Sequence, residues 1–182
     1  MTDSEIGSTF GPTLQTVAAD ASATTWHGAL LTFSDRAAGA TISQLAWTVR
    51  RVLTALAEAD ADARAALRAD IGAPEWWFRF AGNEFLVLTF APAYPASHPR
   101  HSPGDETVLL FQPHAAFAAR RPPGSESFPK GTKNVIRAAY RDAGQPYDEA
   151  LAASKREALK FVKPLRAEDP PVRWWEATRP PD

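Results

Sequence analysis

"EWWFRFAGNEFLVLTFAP", residues 75–92, decides the fold class. It reads as two strands around a tight turn at Gly82-Asn83, closed by Pro92. The second arm, Phe85 to Phe90, is apolar at nearly every position, which predicts a central strand buried on both faces. Two further runs supply neighbours for it. "TVLLFQ" (107–112) is a second buried strand, and "TTWHGALLTF" (24–33) is rich in β-branched, aromatic and aliphatic residues. Between the strands, "TISQLAWTVRRVLTALAEAD" (41–60) sets Ile42, Leu45, Ala46, Val49, Val52, Leu53 and Leu56 on one helical face. Thr41 and Gln44 make its capping box, and Arg50, Arg51 and Glu58 take the opposite face. An Ala-rich helix follows at about 61–70.

Residues 91–106, "APAYPASHPRHSPGDE", form a proline-punctuated loop rich in His and Arg, long enough to be functional. A second proline-rich loop (121–130) precedes the helix "TKNVIRAAYRDAG", with Gly144 as its C-cap. One or two helices cover 147–163, and in the irregular tail Trp174 and Trp175 must pack on something. Residues 1–23 read as a loosely ordered lead-in. Strands clustered mid-chain with helices on either side predict an α+β fold: a small, mainly antiparallel sheet covered by helices, one domain over 24–182.

Composition narrows the chemistry. The 182 residues are 45% hydrophobic and 23% charged, with a net charge of −1, so no global charge calls for nucleic acid or an anionic membrane. There is no cysteine. Disulfides, thiolate-bound zinc, iron–sulfur clusters and cysteine nucleophiles are therefore excluded. The N-terminus lacks the layout of a signal peptide and no apolar run approaches a membrane span, so the expected location is cytoplasmic. No phosphate loop, dinucleotide glycine pattern or Ser-His-Asp order is present.

The four histidines carry the candidate sites. "LLFQPHAAF" (109–117) runs a strand into His114. It reads either as a half-buried residue at an element boundary or as a ligand, neutral imidazole being the commonest protein metal ligand. Phe111, Ala115, Ala116 and Phe117 around it suit a flat hydrophobic ligand better than a hydrated ion. Haem fits, its iron taking one imidazole and its propionates wanting cations such as Arg100, Arg137 or Arg141. Each of those arginines reads equally well as a surface ion pair. "SHPRHSP" (97–103) brings His98, Arg100 and His101 together. With Asp105 or Glu106 the two histidines match a non-haem ferrous iron set, or else belong to a solvated loop. His27 in "TWHG" reads as a structural or pocket-wall residue. Trp47, on the flank of the long helix's apolar face, is a candidate to line a cavity.

Taken together, "FRFAGNEFLVLTFAPAYPASHPRHSPGDETVLLFQPHAAF" (78–117) resembles the core of the YqcI/YcgG family. Members read as an apolar strand, a loop with Arg and Pro, and an apolar strand running into Asn-Leu-His before a Phe. In "FQPHAAF" the family's histidine falls on His114 and its amide residue on Gln112. The helix "ISQLAWTVRRVLTALAEAD" is similar to the family's Trp-bearing helix, with Trp47 in the tryptophan's place. "VIRAAYRDAGQPYDEALAASKREALKFV" is similar to its Arg-rich segment, with Arg137 matching. The likeness covers about residues 24–164. The family often carries a Phe-Pro-Cys motif near its start, and here "TWHGALLTF" stands in that place.

The resemblance implies haem-dependent N-oxygenation of a small amine- or guanidine-containing metabolite in specialised biosynthesis. His114 would be the axial ligand of haem b, with Gln112, Arg100, Arg137 and Trp47 contributing to its binding. His98, His101 or His27 would supply distal hydrogen bonds. Dioxygen or peroxide would be the oxidant, and an external reductase and a homodimer are both compatible with this reading. Carboxylates would recognise the basic substrate: Asp105 and Glu106 if their loop folds back as a lid, with Glu84 as the fallback. The alternatives are a non-haem metal enzyme built on His98 and His101, and a haem-binding protein without catalysis.

Overall fold

The computed structural model describes residues 2–20, 28–102, 104–118, 130–145 and 148–180. It is a single α+β domain built on one four-stranded antiparallel sheet. The strands are β1 (Ala29–Phe33), β2 (Phe78–Phe80), β3 (Asn83–Phe90) and β4 (Thr107–Pro113), in the order β1-β4-β3-β2. Register runs Ala29 to Phe111, Phe33 to Thr107, Phe85 to Pro113 and Phe90 to Val108.

Alternation along each strand divides the sheet into two faces. Leu31, Phe33, Phe78, Phe80, Phe85, Val87, Leu109 and Phe111 point into the core. The opposite face carries Leu30, Leu86, Leu88, Phe90, Val108, Leu110 and Gln112. Leu30 is 63% exposed, and the residues on β3 and β4 are half-buried. The expectation that the strand 85–90 is buried on both faces is therefore corrected. It is central, but only one of its faces is fully covered.

The covered face meets the long helix α3 (Ile42–Ala59), which buries Leu45, Val49, Val52, Leu53 and Leu56. At its start the Thr41 hydroxyl accepts from the Gln44 amide and donates to the Gln44 Oε1, each at 3.2 Å. The Gln44 side chain thus turns to the hydroxyl and not to the Thr41 backbone, so half of the expected capping box forms. Helix α4 (Ala61–Arg68) follows, capped by Asp60.

The N-terminal segment is a second correction. Residues 3–19 are not a loose lead-in: they form α1 (Asp3–Glu5), a π-helical turn (Ile6–Phe10) and α2 (Gly11–Ala19). Ile6, Phe10, Leu14 and Val17 are buried in the main core, and the Phe10 ring lies 5.2 Å from that of Phe111. The wide turn has a local cause. Pro12 lacks an N–H, and its ring would collide with the carbonyl four residues back, so the helix loosens just before it. Gly, Ser, Thr and Pro at 7–13 are poor helix formers and hid the i, i+4 spacing of the apolar residues.

The β2–β3 turn also shifts by one residue. Its centre is Ala81-Gly82, with φ of +46° and +77°, and Asn83 begins β3. Asp60 and Asp62 hold this left-handed turn by accepting from the Ala81 and Gly82 amides at 3.1 and 2.8 Å. Gly28 is required for a different reason, close approach. A Cβ there would sit 2.5 Å from the Phe111 carbonyl oxygen, a backbone atom inside the sheet. Gly28→Ala is expected to destabilise by about 1–3 kcal/mol, as overpacking does, read from the urea midpoint. An unchanged midpoint would show that β1 can peel away from β4 at no cost.

Beyond the sheet lie α5 (His114–Ala118), α6 (Lys130–Asp142) and α7 (Glu149–Ala153), then helical turns at Glu157–Lys160 and Trp174–Glu176. Gly144, with φ +67°, ends α6 as expected. Trp174 is fully buried, and its ring stacks on Phe161 at 5.5 Å and 7°. Among the described residues no helix is long and apolar enough to cross a membrane.

Candidate functional site

The candidate residues divide between the two ends of the sheet. At one end β4 delivers His114 to the start of α5. The imidazole is one-third exposed, and its ring packs on Trp77 at 4.7 Å. Its Nδ1 lies 3.8 Å from Glu84 Oε2, and Glu84 is held in turn by Arg79 at 3.0 Å. An open cleft of about 440 Å³ adjoins these groups, lined by Asp62, Arg79, Asn83, Glu84, His114 and Ala115. The expected apolar shell is only partly present. Phe111 points into the core, Trp77 and a carboxylate are among the groups the imidazole meets, and the Phe117 side chain lies outside the described residues. Gln112, two residues before His114 and paired with Leu86, sits half-buried on the less covered face.

At the other end, the loop after β3 turns back so that His101 bridges to Ala91. Glu84 and Ala91 are seven residues apart, roughly 23 Å at strand rise. His98, Arg100 and His101 therefore do not converge with His114, and the expected roles of the two histidines as distal groups and of Arg100 as a propionate partner of a His114-bound haem are corrected.

Each of them has a structural task instead. His98 is buried and stacks flat on Tyr94 at 4.3 Å and 7°. Its Nδ1 accepts from the Arg100 amide at 3.1 Å. Burial, and then the charges of Lys163 and Arg100, hold its pKa down to about 4, so it stays neutral at pH 7. The Tyr94 hydroxyl donates to the Lys163 carbonyl at 2.9 Å and accepts from its amide at 3.0 Å. Burial pushes that hydroxyl up to about 12. Arg100 is 9% exposed; its guanidinium donates to the Thr89 carbonyl at 3.3 Å and lies over the Phe90 ring. His101 Nδ1 contacts the Tyr94 carbonyl at 2.8 Å.

Other candidates also scatter. Trp47 lines a cleft of about 390 Å³ with Phe33, Gln44 and Arg51. Since Phe33 pairs with Thr107, that cleft lies at the end of β4 remote from His114. Arg137 pairs with Glu149, Arg141 with Asp142, and Asp105 with Arg36, all at exposed positions. Glu106 is exposed. Asp105 and Glu106 flank the His101 end of the sheet, so no lid over His114 forms from them, whereas the fallback Glu84 stands beside His114. His27 lies outside the described residues. Among the described residues no three His, Asp or Glu side chains are grouped to hold a metal ion. This removes the non-haem iron set built on His98, His101 and a carboxylate.

Residues 12–155 match the model of the YqcI/YcgG family. The chain belongs to that family. No curated protein and no solved structure matches it significantly. The YqcI/YcgG match takes in all four strands and His114, while Ile6, Phe10, Phe161 and Trp174 of the same core lie outside it. Within this YqcI/YcgG domain, sequence reading missed Trp77 as the wall beside His114 and Lys163 as the neighbour of His98. The first was recoverable: alternation about the hairpin puts Trp77, Arg79 and Glu84 on the same sheet face. The second depends on how the chain after α7 returns, which no local pattern announces.

Proposed function

We propose that this protein is a haem-dependent oxygenase that hydroxylates or oxidises a nitrogen of a small amine- or guanidine-bearing metabolite. The reaction class is what the resemblance described above implies, and membership of the family supports carrying it over. The observation that carries the reading is His114, with its Nδ1 facing the Glu84 carboxylate at 3.8 Å and its ring on Trp77, at the head of a half-covered apolar sheet face. A metal-ligating histidine characteristically directs its second ring nitrogen at a carboxylate, which fixes the ring and raises its basicity. His114 would hold the iron of one haem through its other ring nitrogen, and Leu86, Leu88, Leu110 and Gln112, half-buried on the less covered sheet face, would line it.

Haem bound there would supply activation of dioxygen or peroxide. The chain's own part is positional. Arg79 pairs with Glu84, the Glu84 carboxylate faces the imidazole at 3.8 Å, and Trp77 packs on the ring. Glu84 then serves the ligand, not the substrate. Arg100, at the far end of the sheet, is dropped as a propionate partner, and His98 and His101 are dropped as catalytic groups.

Expression with a haem precursor is expected to give a coloured protein with a Soret band, and His114→Ala is expected to lose it while keeping the fold. Glu84→Gln should keep haem but shift the ferric spectrum, because the imidazole loses its anionic partner. Arginine-like ligands and simple amines should perturb the Soret band of the ferric protein. A colourless protein sinks the haem reading, and an unchanged Soret maximum in His114→Ala sinks the axial assignment. A response confined to acidic or neutral ligands sinks N-oxygenation.

A further inference from the structure

At the end of the sheet remote from His114, a cavity of about 310 Å³ separates the His98 loop from the segment after Phe161. Pro95, His98, Pro99, Asp148, Lys163 and Arg166 are among its walls. We propose that this cavity binds a small-molecule anion, a carboxylate or a phosphate, held by Lys163 with Arg100 behind it.

Two cations here have no ion-pair partner among the described residues. Lys163 is half-buried, and its ammonium makes no ion pair or hydrogen bond among the described residues. Arg100 is 9% exposed, and of its five N–H donors the one to the Thr89 carbonyl is used. Among the described residues no carboxylate lies within ion-pair distance of either. The acids nearby have other work: Glu157, buried, pairs with Lys160 at 2.8 Å, and Asp148 caps α7 by accepting from the Leu151 amide at 2.8 Å. Glu168 also lines the cavity but is exposed at its rim.

Desolvated like charges side by side are costly. The strain is visible in Lys163, whose proton affinity is lowered first by burial and then by Arg100, with Asp148 across the cavity offsetting only part of it. An anion entering the cavity would relieve it, making charge-assisted hydrogen bonds to the ammonium. The walls are preorganised to receive one. Prolines 95, 99 and 164 stiffen both sides, and Tyr94 fastens residue 163 through its backbone amide and carbonyl. Preorganisation of this kind lowers the entropic cost of binding. His98, neutral and stacked on Tyr94, closes the wall without adding charge. The site lies roughly 23 Å from His114 by strand rise and does not rest on the haem reading.

The test is thermal unfolding of the full chain at pH 7, titrated with sodium phosphate or sodium succinate against sodium chloride at matched ionic strength. A saturable rise in Tm is expected with phosphate or succinate but not with chloride, and which of the two acts tells a phosphate-bearing ligand from a carboxylate. Lys163→Met should abolish the saturable rise and also raise the Tm of the anion-free protein, because it removes a like charge from beside Arg100. Lys163→Arg, which keeps the charge, should retain the response and guards against a variant that merely misfolds. An equal rise in chloride, a saturable rise that survives in Lys163→Met, or no rise with either anion would overturn the site.

Discussion

Trp174→Ala is expected to cost about 3–5 kcal/mol, the range for deleting a large aromatic side chain from a packed core. The residue stands only eight positions from the end of the chain and outside the span matched by the family model. Nothing in its position suggests such weight. Yet its ring is 1% exposed, lies flat on Phe161 at 5.5 Å, and meets Trp76 at 6.1 Å. Its indole N–H donates to the Ala158 carbonyl at 2.8 Å, and Trp76 donates in the same manner to Ala66. Truncation would open a cavity under the sheet and take away one of the two donors of the Ala158 carbonyl, leaving it the Phe161 amide at 3.3 Å. Urea unfolding measures the loss. Trp174→Phe separates the two effects: it keeps the stack and should cost only about 1–2 kcal/mol, chiefly for the lost hydrogen bond. A loss below about 1 kcal/mol for Trp174→Ala would mean that the tail is an appendage and the core ends with the family match.

That the tail matters was legible, since adjacent tryptophans at 174 and 175 had to pack somewhere; what they pack on was not. The same division runs through the molecule. The hairpin, the inner strands and α3 announced themselves because alternation or the 3.6-residue period is written into contiguous residues. The N-terminal helix did not, because poor helix formers surround its four apolar residues and the tertiary core overrides them. The hairpin turn moved one residue because Asp60 and Asp62 from α4 support a left-handed Ala81, a long-range effect that the Gly-Asn pair could not reveal. His114 was legible as the residue at a strand end, and its carboxylate partner was within reach of alternation about the turn. The grouping of His98, Arg100 and His101 with His114 was not readable. Sequence proximity within 91–114 suggested one site, whereas β4 carries His114 to the opposite end of the sheet.

Acidification gives the second large effect, and it comes from His98. Its pKa is held down to about 4 by burial and by the neighbouring charges of Lys163 and Arg100, against about 6.5 for a free histidine. Between these values the unfolded chain takes up a proton at this position and the folded protein does not. Stability from His98 is therefore fully present above pH 6.5 and is lost as the pH falls toward 4, by up to about 3 kcal/mol. Urea unfolding followed from pH 7 to pH 4.5 should show this decline. His98→Asn offers the test: its side-chain oxygen can still accept from the Arg100 amide, but it cannot be protonated in this range. The variant will be weaker at pH 7, having lost the stack on Tyr94. Its stability should nevertheless fall less steeply on acidification, by up to about 1.4 kcal/mol per pH unit where His98 alone accounts for the uptake of one proton. Every other group is common to both proteins, so the difference in slope isolates this residue. Direct observation of the imidazole by NMR should find it neutral throughout that window. A midpoint near 6.5, or identical slopes in the two proteins, would show an imidazole open to solvent and free to exchange protons, which returns His98 to the list of candidate catalytic bases.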